Sequence, residues 1–129
     1  MAIVGHGIDI IEVDRIREML ARHPERFVER TFTPEEVAYA EREKRQAEVY
    51  AGRFAAKEAV MKALGTGWRR GVAFGEIEVL QKPSGEPYVA LHGRTAEVAA
   101  ERGIARIWIS ITHIASVAVA SAIGVDEQG

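Results

Sequence analysis

The chain opens on Ile3-Val4-Gly5-His6-Gly7-Ile8-Asp9-Ile10, a run rich in β-branched residues that predicts a strand. A helix is expected across 13–22, ending before His23-Pro24, with a further short helical turn at 25–29. Thr33-Pro34-Glu35-Glu36 reads as a helix start. Thr caps free N–H groups, Pro suits the first helical position, and Glu36 completes a capping box. That helix should run to about Lys44. A second, across 47–64, stops at Gly65-Thr66-Gly67, where glycine accepts the left-handed backbone that ends helices.

Beyond this point the pattern turns to strands. Residues 76–81 alternate, 82–87 form a turn, and 88–91 return as the second arm of a hairpin. A short helix over 95–101 is closed by Gly103. Two more strands follow, at 105–112 and 116–123, and a frayed polar tail ends the chain. Helices and strands come in separate runs, which predicts an α+β fold with an antiparallel sheet packed against helices. With 129 residues and no repeat or linker, residues 1–129 are expected to form a single small domain.

Composition narrows the function. The apolar fraction of 47% and charged fraction of 28% are those of an ordinary soluble globule. A net charge of −2 gives no global basic field for nucleic acid. The absence of cysteine removes disulfides, thiolate metal sites and cysteine nucleophiles together. The N-terminus has no basic region ahead of its apolar run, so no signal peptide is expected. No uncharged apolar run is long enough to span a membrane, and the expected compartment is the cytoplasm.

The segment from Arg53 to Leu64 carries the most chemistry. As a helix it is apolar on nearly every side, yet it holds Arg53, Lys57, Glu58 and Lys62. Glu58 shares a stripe with Phe54 and Met61, where a bare carboxylate is costly. A metal ion or Lys62 one turn on would compensate it; equally, Glu58 and Lys62 form an ordinary helix pair. Asp9 interrupts the first apolar run near its end. It reads either as a functional carboxylate or as a helix cap, and Asp14 is better placed to cap. Together Asp9 and Glu58 would make an all-oxygen site of the kind Mg²⁺ takes, completed by water and substrate phosphates. Lys57, Lys62 and Arg53 would receive further phosphate charge. His113 ends a strand after Ser110-Ile111-Thr112 and is either structural or a ligand-facing base or phosphate partner. Arg15, Met19 and Arg22 share one helix side. They suit an acidic amphipathic partner helix or a merely solvated basic face.

These blocks, taken in order, resemble the holo-[acyl-carrier-protein] synthases of the 4′-phosphopantetheinyl transferase superfamily. Gly7-Ile8-Asp9-Ile10 with Arg15-Ile16 resembles the N-terminal motif, and Phe32-Thr33-Pro34-Glu35-Glu36 the second. Arg53-Phe54-Ala55-Ala56-Lys57-Glu58-Ala59, with Lys62-Ala63 and Gly65-Thr66-Gly67, resembles the central helix motif, the most specific block. Ser110-Ile111-Thr112-His113 resembles the last. The resemblance implies a 4′-phosphopantetheinyl transferase-like fold and a substrate, coenzyme A. It implies Mg²⁺ on Asp9 and Glu58, with catalysis by those residues and Lys62. Arg53, Lys57, Lys62, Thr112 and His113 would bind coenzyme A. The acceptor would be a serine of apo-acyl carrier protein, and the assembly a homotrimer with active sites between protomers. The sequence departs after His113, where Ile114-Ala115-Ser116-Val117 lacks the family's usual Thr or acidic residue and following aromatic. From the residues alone, another Mg²⁺-dependent nucleotide or pyrophosphate enzyme, or a non-catalytic binding module, stays open. P-loop chemistry is disfavoured because Gly-x-x-x-x-Gly-Lys-Ser/Thr is missing.

Overall fold

A computed structural model describes residues 1–67 and 69–127, so the expected tail falls partly outside the described residues. The first strand, β1 (Ile3–Glu12), leads into α1 (Val13–Arg22), α2 (Pro24–Thr31), α3 (Pro34–Glu41) and the long α4 (Gln46–Leu64). The hairpin β2 (Ile77–Gln81) and β3 (Pro87–Leu91) follows, then α5 (Gly93–Glu101), β4 (Arg106–His113) and β5 (Val117–Val125). The helix expected at 25–29 is a fuller element. Pro24 starts it at the first helical position, and Phe27 and Thr31 anchor its buried side.

At Thr33 the capping box forms as expected: the hydroxyl accepts from Glu36 N–H at 3.3 Å and Glu36 Oε1 accepts from Thr33 N–H at 2.9 Å. Helix α3 stops at Glu41 rather than near Lys44. Arg42 and Glu43 N–H bond back to the Tyr39 and Ala40 carbonyls, the tightened spacing of a terminating turn. Helix α4 ends on Gly65 at φ 77°, the left-handed cap expected of it.

The strands make two antiparallel sheets where the sequence suggested one: β1-β5-β4, and the separate pair β2-β3. The neighbouring edges of β3 and β4 are not paired, and residues of both strands line a pocket together with Ala96, Ala99, Ala100 and Ile104 of α5 and the loop after it. In the larger sheet, strand alternation turns Gly7 and Ile11 inward and Ile8 and Ile10 outward. The inner face lies on α4, whose Ala51, Ala55, Ala56, Ala59 and Ala63 are all buried. Small residues on both sides set this approach. A Cβ on Gly7 would lie 2.1 Å from the Ala59 carbonyl oxygen, and one on Gly5 2.1 Å from that of Ala63. The outer face is open: Ile8 is 61% exposed, Ile10 67% and Trp108 44%.

Candidate active site

Asp9 takes an inward-facing position on β1, in alternation with Gly5, Gly7 and Ile11, so it meets α4 rather than solvent. Lys62 of α4 reaches across, its Nζ 3.2 Å from Asp9 Oδ1 and donating to the Ile8 carbonyl at 2.8 Å. Glu58, one turn earlier on α4, faces the same place. Burial pushes the Glu58 carboxyl above the usual carboxylate range and the Asp9 charge pushes it further, while Lys62 opposes both. One ammonium thus serves two carboxylates, and the site is short of positive charge.

Asp9 does not act as a helix cap. Strand β1 continues to Glu12, which is itself the N-cap of α1 and makes no side-chain cap bond. Asp14 does not cap either; it sits inside the first turn, bonded to Arg17 at 2.6 Å.

The carboxylates open on a cleft of about 710 Å³ between β1, α1, α2 and α4. Met19, Phe27 and Phe54 give it an apolar wall, and Arg15, Arg26 and Arg30 a basic rim. Arg15 and Met19 therefore belong to the cleft that holds Asp9 and Glu58, whereas Arg22 is exposed and does not line it. Sequence reasoning missed Arg26 and Arg30. Their i,i+4 spacing was visible, but nothing local says that α2 folds back beside α1.

A second pocket, of about 470 Å³, collects Arg42, Lys44, Arg45, Arg53 and His113. His113 Nδ1 lies 2.8 Å from Oε1 of Glu48, a carboxylate that is almost wholly buried. The Arg53 guanidinium stacks 4.5 Å from the Tyr39 ring centroid, and its buried Nε has no hydrogen-bond partner among the described residues. Burial draws the Arg53 pKa down, against the raising influence of Tyr39, Glu36 and Glu43. Thr112 is exposed on the opposite face of β4 and does not line this pocket.

The expectation that Arg53, Lys57 and Lys62 receive phosphate charge beside Asp9 and Glu58 is corrected in two respects. Lys57 is fully buried, and every donor of its ammonium is engaged: Glu36 Oε1 at 2.8 Å, the Phe74 carbonyl at 2.9 Å and the Ile77 carbonyl. Glu36 completes the knot by accepting from Val79 N–H at 2.7 Å. Lys57 holds α4, α3 and β2 together and faces no cleft. Arg53, for its part, sits about 140° around α4 from Glu58, on another side of the helix. The two pockets share no lining residue, so within one chain the carboxylate half and the basic half are separate. The same wheel was available from the sequence; what it lacked was the burial that takes Lys57 out of play.

The carboxylate half fits Mg²⁺ by its chemistry: two oxygen-donor carboxylates, Asp9 and Glu58, face one cleft, and the charge of each disfavours that of the other. Among the described residues no group of three or more His, Asp or Glu could hold a metal ion by itself. The rest of a coordination shell would come from water and substrate phosphate, as Mg²⁺ prefers.

Comparison with known proteins identifies the family. Residues 5–120 match the family model described as the 4′-phosphopantetheinyl transferase superfamily. A holo-[acyl-carrier-protein] synthase from Solibacter usitatus is 48% identical over 121 residues, 94% of this chain and 97% of that protein. The crystal structure of holo-[acyl-carrier-protein] synthase from Neisseria meningitidis superposes with a TM-score of 0.89 at 30% identity, covering 97% of this chain and all of that one (100%). That of the Bacillus anthracis synthase in complex with CoA (3′,5′-ADP) gives 0.80 at 38% identity, covering 97% and 98%. The protein belongs to the 4′-phosphopantetheinyl transferase superfamily and, within it, to the holo-[acyl-carrier-protein] synthases.

Proposed function

We infer that each active site is composed at a boundary between protomers of a homotrimer, one chain giving Asp9, Glu58 and Lys62 and its neighbour Arg53 and His113. The reaction moves the 4′-phosphopantetheine group of coenzyme A to a serine of apo-acyl carrier protein. The serine oxygen bonds to the β-phosphorus, the bond linking it to the bridging pyrophosphate oxygen breaks, and adenosine 3′,5′-bisphosphate leaves. The serine proton passes to Glu58 or to water beside it. The observation that carries this reading is the Asp9–Glu58–Lys62 constellation, two carboxylates under-compensated by one ammonium at the mouth of a cleft.

Asp9 and Glu58 would hold Mg²⁺, which supplies charge neutralisation to the pyrophosphate when bound. Lys62, whose Nζ donates to the Ile8 carbonyl, would add positive charge to the departing phosphate. On the neighbouring chain, Arg53 and His113 would grip another anionic part of coenzyme A.

Two observations support the composite assembly. The halves do not meet within one chain. The outer sheet face, with Ile8, Ile10, Trp108 and Ile123 exposed, is an apolar surface that a neighbouring copy would cover. The acidic carrier protein would dock over the Asp9 cleft, drawn by Arg15, Arg26 and Arg30 and seated on Met19. Arg22 would add charge from outside the cleft. A cytoplasmic setting fits a cysteine-free chain in which, among the described residues, no helix is long and apolar enough to cross a membrane.

Mass spectrometry of apo-acyl carrier protein, incubated with this protein, coenzyme A and Mg²⁺, tests the reading. A phosphopantetheine-sized gain on the serine is expected, absent with Asp9→Ala or Glu58→Ala. Near-normal transfer by either variant at limiting Mg²⁺ would overturn the metal assignment.

A further inference from the structure

Two carboxylates line the basic pocket, the exposed Glu43 and the buried Glu48, and phosphate binding calls for neither; only Glu48 is held inside the wall. Glu48 lies in the first turn of α4, 5% exposed, among Arg42, Lys44, Arg45 and Arg53. An anion-binding pocket gains nothing from a like charge in its wall, so this carboxylate acts on something else. Its partner is His113, whose Nδ1 stands 2.8 Å from Glu48 Oε1. The other oxygen, Oε2, is 4.0 Å from Arg45 Nε, beyond hydrogen-bond reach, and the Arg45 side chain is largely exposed. Among the described residues, the imidazole contact is therefore the one close side-chain hydrogen bond that holds Glu48.

We propose that Glu48 is a positioning residue for coenzyme A binding: it fixes the ring and tautomer of His113, so that Nε2 is presented to the anion in the basic pocket. This rests on the placement of coenzyme A against Arg53 and His113. An ionised carboxylate only accepts, so the ring nitrogen facing it must carry a proton, and that is Nδ1. The ring then cannot flip without leaving Glu48 unpaired in a buried place, at the desolvation cost such groups carry. Nε2, on the far side of the ring, has no protein partner among the described residues. When a phosphate arrives and Nε2 takes a proton from solvent to donate to it, Glu48 stabilises the imidazolium that results. Glu48 is four residues before Gly52 on α4, and His113 ends β4, so the pair also ties the helix start to the strand end beside the pocket.

The experiment combines binding and spectroscopy on the assembled full-length protein. Coenzyme A affinity is measured by calorimetry for the parent, Glu48→Gln, His113→Ala and the double variant. The histidine ring nitrogens are read by ¹⁵N NMR. Glu48→Gln should weaken coenzyme A binding about tenfold, as expected for a hydrogen bond to a charged group. His113→Ala should weaken it at least as much, and the double variant no more than His113→Ala. Glu48→Asp should rescue part of the loss. The parent ¹⁵N spectrum should show His113 protonated at Nδ1, a signature that needs no variant to fold and that Glu48→Gln should blur into a tautomer mixture. If Glu48→Gln and His113→Ala add fully, or the parent ring carries its proton at Nε2 alone, the positioning role is overturned while the site stands. If His113→Ala binds coenzyme A as the parent does, the placement of coenzyme A in this pocket is wrong, and the role of Glu48 falls with it.

Discussion

Gly7→Ala tests how the carboxylates are brought together. The added methyl would lie 2.1 Å from the Ala59 carbonyl oxygen, 2.7 Å from Lys62 Cβ and 3.0 Å from Ala63 N. Ordinary contact begins near 3.4 Å, so β1 and α4 must part by roughly 1.3 Å at this point. Two of the three obstructing atoms are backbone of the central helix, which cannot rotate aside. Overpacking of this kind costs about 1–3 kcal/mol. Asp9 is two residues along the same inward face, and Lys62 is itself one of the obstructing residues. A displacement of about 1 Å in a reacting constellation is able to cost about 100-fold in rate. Transfer to apo-carrier protein should therefore fall by one to two orders of magnitude in a protein that still melts cooperatively by circular dichroism. Gly75→Ala is the control: nothing lies within 4 Å of its would-be Cβ, and it should be nearly silent. A Gly7→Ala protein with full activity and unchanged melting would refute the close seating of β1 on α4.

Lys57→Met should destabilise the fold by about 3–5 kcal/mol in a urea titration, because it strands the buried Glu36 carboxylate. Coenzyme A affinity of the folded fraction should be unchanged; lost affinity at parental stability would return Lys57 to the phosphate site. Without divalent cation, Glu58→Gln should raise thermal stability at neutral pH. The raised Glu58 pKa means the folded state binds that proton more tightly than the unfolded state. Stability thus falls as pH rises from the ordinary glutamate range, about 4.3, through the higher folded value. The gain from Glu58→Gln should close again below that range, and a pH-independent gain would contradict the assignment. Arg15→Glu should raise KM for carrier protein and flatten its salt dependence. If KM for coenzyme A moves instead, Arg15 serves the nucleotide and not the carrier.

The sequence displayed most of the elements because their signals are local. The capping box at Thr33, the terminal Gly65 and the β-branched opening strand each depend on a few neighbouring residues, and each appears where the pattern placed it. That Asp9 and Glu58 stand out was legible for a related reason: both are charges set in apolar runs, where an unpaired charge is costly, and the two face one cleft. What was not legible depends on which surfaces meet. Lys57 looked like a ligand until Glu36, brought over by α3, occupied it. Arg26 and Arg30 looked like solvated helix residues until α2 folded along α1. Glu48 carried no local signal, since its partner His113 is 65 residues away in the chain.

The composite site is tested most directly by mixing two disabled chains. One carries Asp9→Ala; the other carries Arg53→Gln with His113→Ala. Each alone should form an inactive assembly. In mixed assemblies from co-expression, a boundary is intact when its carboxylate half comes from the second chain and its basic half from the first. For equal, random mixing in a ring of head-to-tail contacts, about one quarter of boundaries meet that condition. Two-tag isolation removes the all-inactive homotrimers, and every mixed trimer keeps one intact boundary of its three, so the isolated mixed assemblies should recover about a third of parental transfer activity. Mixed assemblies as inactive as either chain alone would show that Asp9 and His113 must reside on the same protomer, and would contradict the account.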